Sequence, residues 1–209
     1  FFIMEYETNI FDFEINNEPS IQKLDNIDDK FLSKKEDNLL TLMNLKKEKW
    51  IKFIKHLPTE NEIYRILSNG TYDLFTFIDY IIKDSGFVIN ELYISTWATT
   101  TIQIKLLLKY FDEGKIKELN MVLGDYHKFK SRPEYGLLVT ELNRRKQRFC
   151  IFNNHVKLIL LPINNNYYVL ESSANLTTNP RLELHILSNN KLLYDFHKSW
   201  MLEMLCKTI

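Results

Sequence analysis

The chain of 209 residues has only five glycines, five prolines and two cysteines, a formal charge of zero and no long apolar run. Each shortage excludes something. With glycine and proline so sparse, no stretch rich in Gly, Pro or Ser marks a linker, so composition shows no domain boundary, and no internal repeat is present. Cys150 and Cys206 lie in apolar segments without CxxC or Cys/His spacing, which reads as free thiols in a reducing compartment. Zero net charge removes any whole-chain attraction to nucleic acid or membrane, so a basic footprint has to be local. No apolar run reaches the roughly 18 residues that span a bilayer. The N-terminal Phe1-Phe2-Ile3-Met4 has neither a basic region nor a small-residue cleavage site. A cytoplasmic protein with no stable membrane insertion is expected.

What is present is a globular composition, 45% hydrophobic and 13% aromatic, long enough for one sizeable core or a core with a helical appendage. Residues 1–27 alternate apolar and acidic side chains around Phe11-Asp12-Phe13-Glu14-Ile15, the period of an edge strand or an ordered arm. Over 29–56, leucines, Trp50, Phe53 and Ile54 recur at helical spacing, which predicts a long helix. Pro58 stops it, Thr59-x-x-Glu62 opens a second helix closed by Asn69-Gly70, and a third covers about 72–83. Residues 1–57 are thus expected as an N-terminal extension, a strand-like arm and a long helix, and residues 58–209 as the main domain. Inside that domain, a strand over 88–96, a helix to Phe111 and a strand over 118–123 form a βαβ unit, which implies a parallel sheet. A helix from Pro133, strands over 167–170 and 184–187 and a terminal helix complete an α/β pattern.

The chemistry concentrates between Phe149 and Leu184. An apolar strand is expected there carrying His155 and Lys157, which, two apart on a strand, share a face. The run from Leu158 to Leu161 reads as buried on both faces. Setting an imidazole and an ammonium at its mouth costs on the order of several kcal/mol unless each has a partner, so an anion is expected. Ser172, Ser173 and Asn175 donate hydrogen bonds to the same place from a tight turn. The set is an oxyanion clamp with a nucleophile in it, and nothing in the sequence indicates a bound metal or organic cofactor.

His155-Val156-Lys157, then Ser173-Ala174-Asn175, then Glu183 within Arg181-Leu182-Glu183-Leu184, resembles the HxK…GSxN…E signature of the phospholipase D superfamily. The resemblance covers about residues 88–187. Pro162 stands where the family has an aspartate, and Ser172 where it has a glycine. The resemblance implies a mixed sheet flanked by helices and metal-independent phosphodiester chemistry. His155 would attack phosphorus, Lys157 and Asn175 with help from Ser173 would hold the non-bridging oxygens, and Glu183 would orient an imidazole. A single copy of the motif implies a homodimer with the site across its two-fold axis, His127 or His185 being poorer sources of the second histidine.

The substrate is expected to be a nucleic-acid backbone. Lys128, Lys130, Arg132, Arg144, Arg145 and Arg148 bracket the strand leading to His155, and Arg181 follows the clamp. In a neutral chain this reads as a phosphate-tracking surface indifferent to sequence, against the alternative of a solvated face. Thr96 and Thr99, at a strand end and a helix start, read either as phosphate contacts or as plain helix caps. The resulting expectation is a nuclease. A catalytically silent nucleic-acid-binding or assembly protein on the same scaffold, or a phospholipase, are the alternatives.

Overall fold

The computed structural model describes residues 30–35 and 40–44 by their backbone, and 54–125, 132–177 and 181–207 apart from 55, 61, 70–72 and 84. The strand-like arm expected over 1–27 lies outside them, as do His127, Lys128 and Lys130. The elements are β1 (Lys30–Lys35), β2 (Leu40–Asn44), β3 (Glu62–Ser68), α1 (Leu74–Lys83), β4 (Ile89–Thr96), α2 (Thr101–Asp112) and β5 (Ile116–Gly124), then α3 (Arg132–Arg144), β6 (Arg148–Phe152), β7 (Leu158–Ile163), β8 (Asn166–Ser172), β9 (Glu183–Asn189) and α4 (Lys191–Cys206).

All nine strands join one mixed sheet in the order β2-β1-β3-β9-β8-β7-β4-β5-β6. The βαβ expectation holds: β4 runs parallel to β5 through α2, and β5 parallel to β6 through α3. Every other neighbour is antiparallel. Side chains alternate across the pleat, so the sheet has two cores. One joins Ile94, Met121, Ile159 and Leu170 to α1, α2 and α3; the other joins Val122, Leu158, Leu160 and Val169 to Tyr194, Met201 and Leu205 of α4. The run Leu158 to Leu161 is buried on both faces, as its composition predicts.

Three expectations are corrected. The helix over 29–56 is replaced, in its described part, by the β1–β2 hairpin, registered Lys30↔Asn44 and Lys34↔Leu40. The open edge of β3 supplies non-local backbone partners that override leucine spacing at helical period. This pairing crosses the expected boundary at 57/58. The helix expected after Thr59 is β3, whose burial alternates residue by residue. Its Thr59-x-x-Glu62 signal is real but closes a turn: the Thr59 N–H donates to Glu62 Oε2 at 3.1 Å and the Glu62 N–H to the Thr59 carbonyl at 2.9 Å. Finally, the strand expected to carry His155 and Lys157 is two strands, β6 and β7, lying on opposite sides of the β4–β5 pair. The connection 153–157 crosses the ends of β4 and β5, and both residues sit on it.

Candidate active site

The crossing segment is pinned where it passes over the sheet. Asn154 is buried; its amide donates to Ser95 Oγ at 2.9 Å and to the Val122 carbonyl at 3.1 Å, and its side-chain oxygen accepts the Val156 N–H at 2.9 Å. Ser95 Oγ in turn donates to the Val156 carbonyl at 3.0 Å. The residue between His155 and Lys157 is therefore held at both its N–H and its C=O. Val156 itself points outward, as does His155, while Lys157 turns inward at 7% exposure.

The period-two expectation that His155 and Lys157 share a face fails because the backbone there is not a strand. Their heads meet nonetheless. Lys157 Nζ donates to His155 Nδ1 at 2.6 Å and to the His155 carbonyl at 2.6 Å. Burial holds the Lys157 ammonium below its ordinary value, and the charge of Glu183 acts in the opposite direction.

Opposite the crossing segment, β8 ends in the Ser173-Ala174-Asn175 loop. The loop is fastened on three sides. The Ser173 N–H donates to the Leu184 carbonyl at 3.0 Å and the Leu184 N–H to Ser173 Oγ at 3.0 Å, which ties it to β9. The Leu74 N–H at the start of α1 donates to the Asn175 carbonyl at 3.2 Å. The Leu176 N–H donates to the Ala98 carbonyl at 3.1 Å, which ties the loop to the turn before α2. Ser173 Oγ donates to Glu183 Oε2, so the one motif carboxylate orients the motif serine and not an imidazole of its own chain.

Trp97 joins the two halves. Its N–H donates to Asn175 Oδ1 at 3.2 Å and its ring tilts against His155 with centroids 5.4 Å apart. The indole lies so close to β5 that a Cβ on Gly124 would come within 2.7 Å of its Cδ1 and 2.8 Å of the Asn154 carbonyl. Only glycine fits there. Ser95 lies, with Thr96, at the strand end where a ligand is expected; no spacing in the sequence points to Asn154 or Trp97. Gly124 carried the one available signal, an isolated glycine closing an apolar strand, which marks close backbone approach.

The remaining expected site residues fall into separate places. Thr96 and Thr99 are buried; Thr96 Oγ1 donates to the Ala98 carbonyl at 2.8 Å, and the helix cap is Thr100, whose side chain accepts the Gln103 N–H. The threonines therefore build the turn before α2. Arg144 and Arg145 lie at the far end of α3, ten or more residues beyond Glu134, which meets Thr101 at the start of α2. At 1.5 Å per residue that is roughly 15 Å. Both are bound by acids: Arg145 donates to Asp112 at 2.8 and 2.6 Å and to Glu141, and Arg144 to Glu141 at 2.9 Å. These arginines hold both carboxyls below the usual carboxylate range. Arg148 pairs with Asn120, four residues or roughly 13 Å from the site end of β5. The structure does not bring these three cations to the site. Of Arg132 only the backbone is described. Arg181 is exposed next to the clamp.

His185 is buried behind Glu183, with Ser172 Oγ at 2.9 Å from Nδ1 and Ser68 Oγ at 3.3 Å from Nε2. Burial pushes it down to about 4. It cannot serve as an exposed acid. His197 packs between Glu171 and Trp200. Pro162, where the resembled signature has an aspartate, lies five residues on from Lys157 in β7, roughly 16 Å down the strand. Among the described residues no three His, Cys, Asp or Glu side chains group closely enough to hold a metal, and no helix is long and apolar enough to cross a membrane.

Among solved structures, polyphosphate kinase from Porphyromonas gingivalis superposes with a TM-score of 0.52 at 12% identity, over 72% of this chain and 28% of that one. Phosphatidylserine synthase from Haemophilus influenzae gives 0.50 at 13% identity, over 80% and 42%. Both are phospholipase D superfamily members. The chain has the phospholipase D-like fold. The phospholipase D family member Nuc from Salmonella typhimurium is also similar, with a TM-score of 0.44 at 12% identity over 56% of this chain and 78% of that one. The phospholipase D-like chain thus spans less than half of the kinase and of the synthase. No protein-family model and no curated protein matches its sequence.

Proposed function

We propose that the protein is a metal-independent phosphodiesterase, a nuclease, acting through a phosphohistidine at a site shared between two subunits. The observation that carries this reading is one run of contacts, His155 to Lys157 on one side and His155 to Trp97 to Asn175 on the other, with Ser173 bonded to Glu183 beside them. It brings His155, Lys157 and Asn175 to one end of the sheet, which supports reading them as a nucleophile with charge-stabilising donors beside it.

In this mechanism a ring nitrogen of His155 forms a bond to phosphorus as the phosphorus–oxygen bond to the leaving group breaks, and the leaving oxygen takes a proton from a second histidine. That histidine then removes a proton from water, whose oxygen displaces His155 and restores the free ring. Lys157 and the amide of Asn175 hold the non-bridging oxygens as charge develops, while Ser173, whose hydroxyl is given to Glu183, holds that carboxylate in place. The second histidine is His155 of another copy, with Glu183 orienting an imidazole across the two-fold axis. Exposed apolar side chains next to the motif residues, Val156 at 46%, Leu182 at 55% and Leu184 at 44%, support burial of this rim against such a copy. Exposed Arg181 supports a polyanionic substrate.

The test is cleavage of labelled single- and double-stranded DNA and of RNA in excess EDTA, wild type against His155→Ala, with the oligomeric state measured in parallel. Cleavage in EDTA that His155→Ala abolishes is expected. No cleavage, with retained salt-sensitive binding, means a silent binding protein; cleavage that survives in the variant rejects His155 as nucleophile.

A further inference from the structure

Ser172 departs from the resembled signature where a glycine is expected, and His185 lies directly behind it, unused by the reaction above. The two are cross-strand partners on β8 and β9. Ser172 Oγ accepts the Ala174 N–H at 2.8 Å, closing the turn with a side chain, and the same oxygen lies 2.9 Å from His185 Nδ1. On its other side His185 Nε2 meets Ser68 Oγ of β3 at 3.3 Å. A serine hydroxyl is a free rotor until a second partner fixes it. A glycine at 172 would leave the Ala174 N–H without this acceptor.

We propose that His185 is a positioning residue, which sets the Ser172 rotamer and through it the turn that presents Ser173 and Asn175. The ring is 5% exposed, which leaves it no surface for a substrate. A neutral imidazole has one donor and one acceptor, so it bridges the two serines whichever nitrogen carries the hydrogen. The pair fastens the turn across β3, β9 and β8, and serves where the family uses a bare glycine turn. The kinetic consequence rests on the phosphodiesterase reading; the geometric one does not.

Asparagine at 185 reaches about where Nδ1 sits and glutamine about where Nε2 sits, so the two separate the Ser172 contact from the Ser68 contact. Amide hydrogen exchange over residues 172–176 is measured on the full chain for wild type, His185→Asn, His185→Gln and Ser172→Gly, with hydrolysis of bis(4-nitrophenyl) phosphate alongside. The Ala174 amide is expected to exchange about tenfold faster in Ser172→Gly and His185→Gln and near the wild-type rate in His185→Asn. In the same two variants kcat falls about tenfold with KM little changed, because the donors act on developing charge. Unchanged Ala174 protection in Ser172→Gly, or equal behaviour of the asparagine and glutamine variants, overturns the proposal. Ser172→Gly removes no buried ring, so it carries the test if a His185 variant does not fold. If the wild type hydrolyses nothing but the exchange pattern holds, the phosphodiesterase reading fails and the positioning role stands.

Discussion

The backbone N–H of Trp97 holds Asn175 by its side-chain oxygen at 3.2 Å, and this decides which end of the amide is free for the site. With Oδ1 engaged, the two N–H donors remain for an anion. Asn175→Asp keeps the acceptor for Trp97 but replaces the donors with charge. Its kcat on a phosphodiester is expected to fall about 100- to 1,000-fold, with a melting temperature close to wild type. An active aspartate variant would show that the amide donors do not face the phosphate.

Gly124→Ala puts a Cβ into the Trp97 ring edge and the Asn154 carbonyl; the ring packs on His155, and the Asn154 side chain is bonded to Ser95 and Val122. Overpacking of this kind costs about 1–3 kcal/mol. Urea unfolding is expected to show that loss, with altered Trp97 fluorescence in the folded state, whereas a wild-type midpoint would mean the strand end yields.

Asn154→Leu preserves size while leaving the Val122 carbonyl, the Ser95 hydroxyl and the Val156 N–H without that side chain. Stranding buried groups costs about 1–3 kcal/mol each at most. A loss of stability larger than that of Ser95→Ala is expected, together with a drop in kcat. A double-mutant cycle should give a non-zero coupling, since the two side chains share one bond and both hold Val156.

His185 gives a pH dependence whose sign follows from its environment. Its folded value is pushed down to about 4 from an ordinary 6.5, so between these limits the unfolded chain binds the extra proton. Stability is therefore fully present above about pH 6.5 and declines as pH falls toward 4, by about 3 kcal/mol from this group. Urea midpoints from pH 7 to 4 should fall less steeply in His185→Asn than in wild type. Equal slopes would show that the ring is hydrated.

The middle of the fold was legible because its signals are local. The β4–α2–β5 unit announces itself in an apolar strand, a threonine cap and Asp112-Glu113-Gly114. The stretch over 29–68 was not, because its helix-like spacing yields to strand pairing, β1 with β2 and β3, and β3 with β9 more than a hundred residues on in the chain. The motif residues could be read from spacing. Ser95 could be placed only at a strand end, and Asn154 and Trp97 not at all, since what these three touch is set by how β6 and β7 straddle β4 and β5. The arginines misled for a readable reason: Glu141 stands three and four residues before Arg144 and Arg145, the spacing of ion pairs on one helix face.

The bonds that hold the site join residues 59, 78 and 80 positions apart, from Ser95 to Asn154, Trp97 to Asn175 and Thr96 to Leu176. During synthesis none of these can form until the later partner has been made, and Ser173 has no carboxylate to bond until Glu183 follows. Loop-closure entropy makes such distant contacts slow to form. A growing chain thus carries His155 and Lys157 before it carries Asn175 and Glu183, and the contacts that join the two halves of the loop cluster arrive only with closure of the sheet.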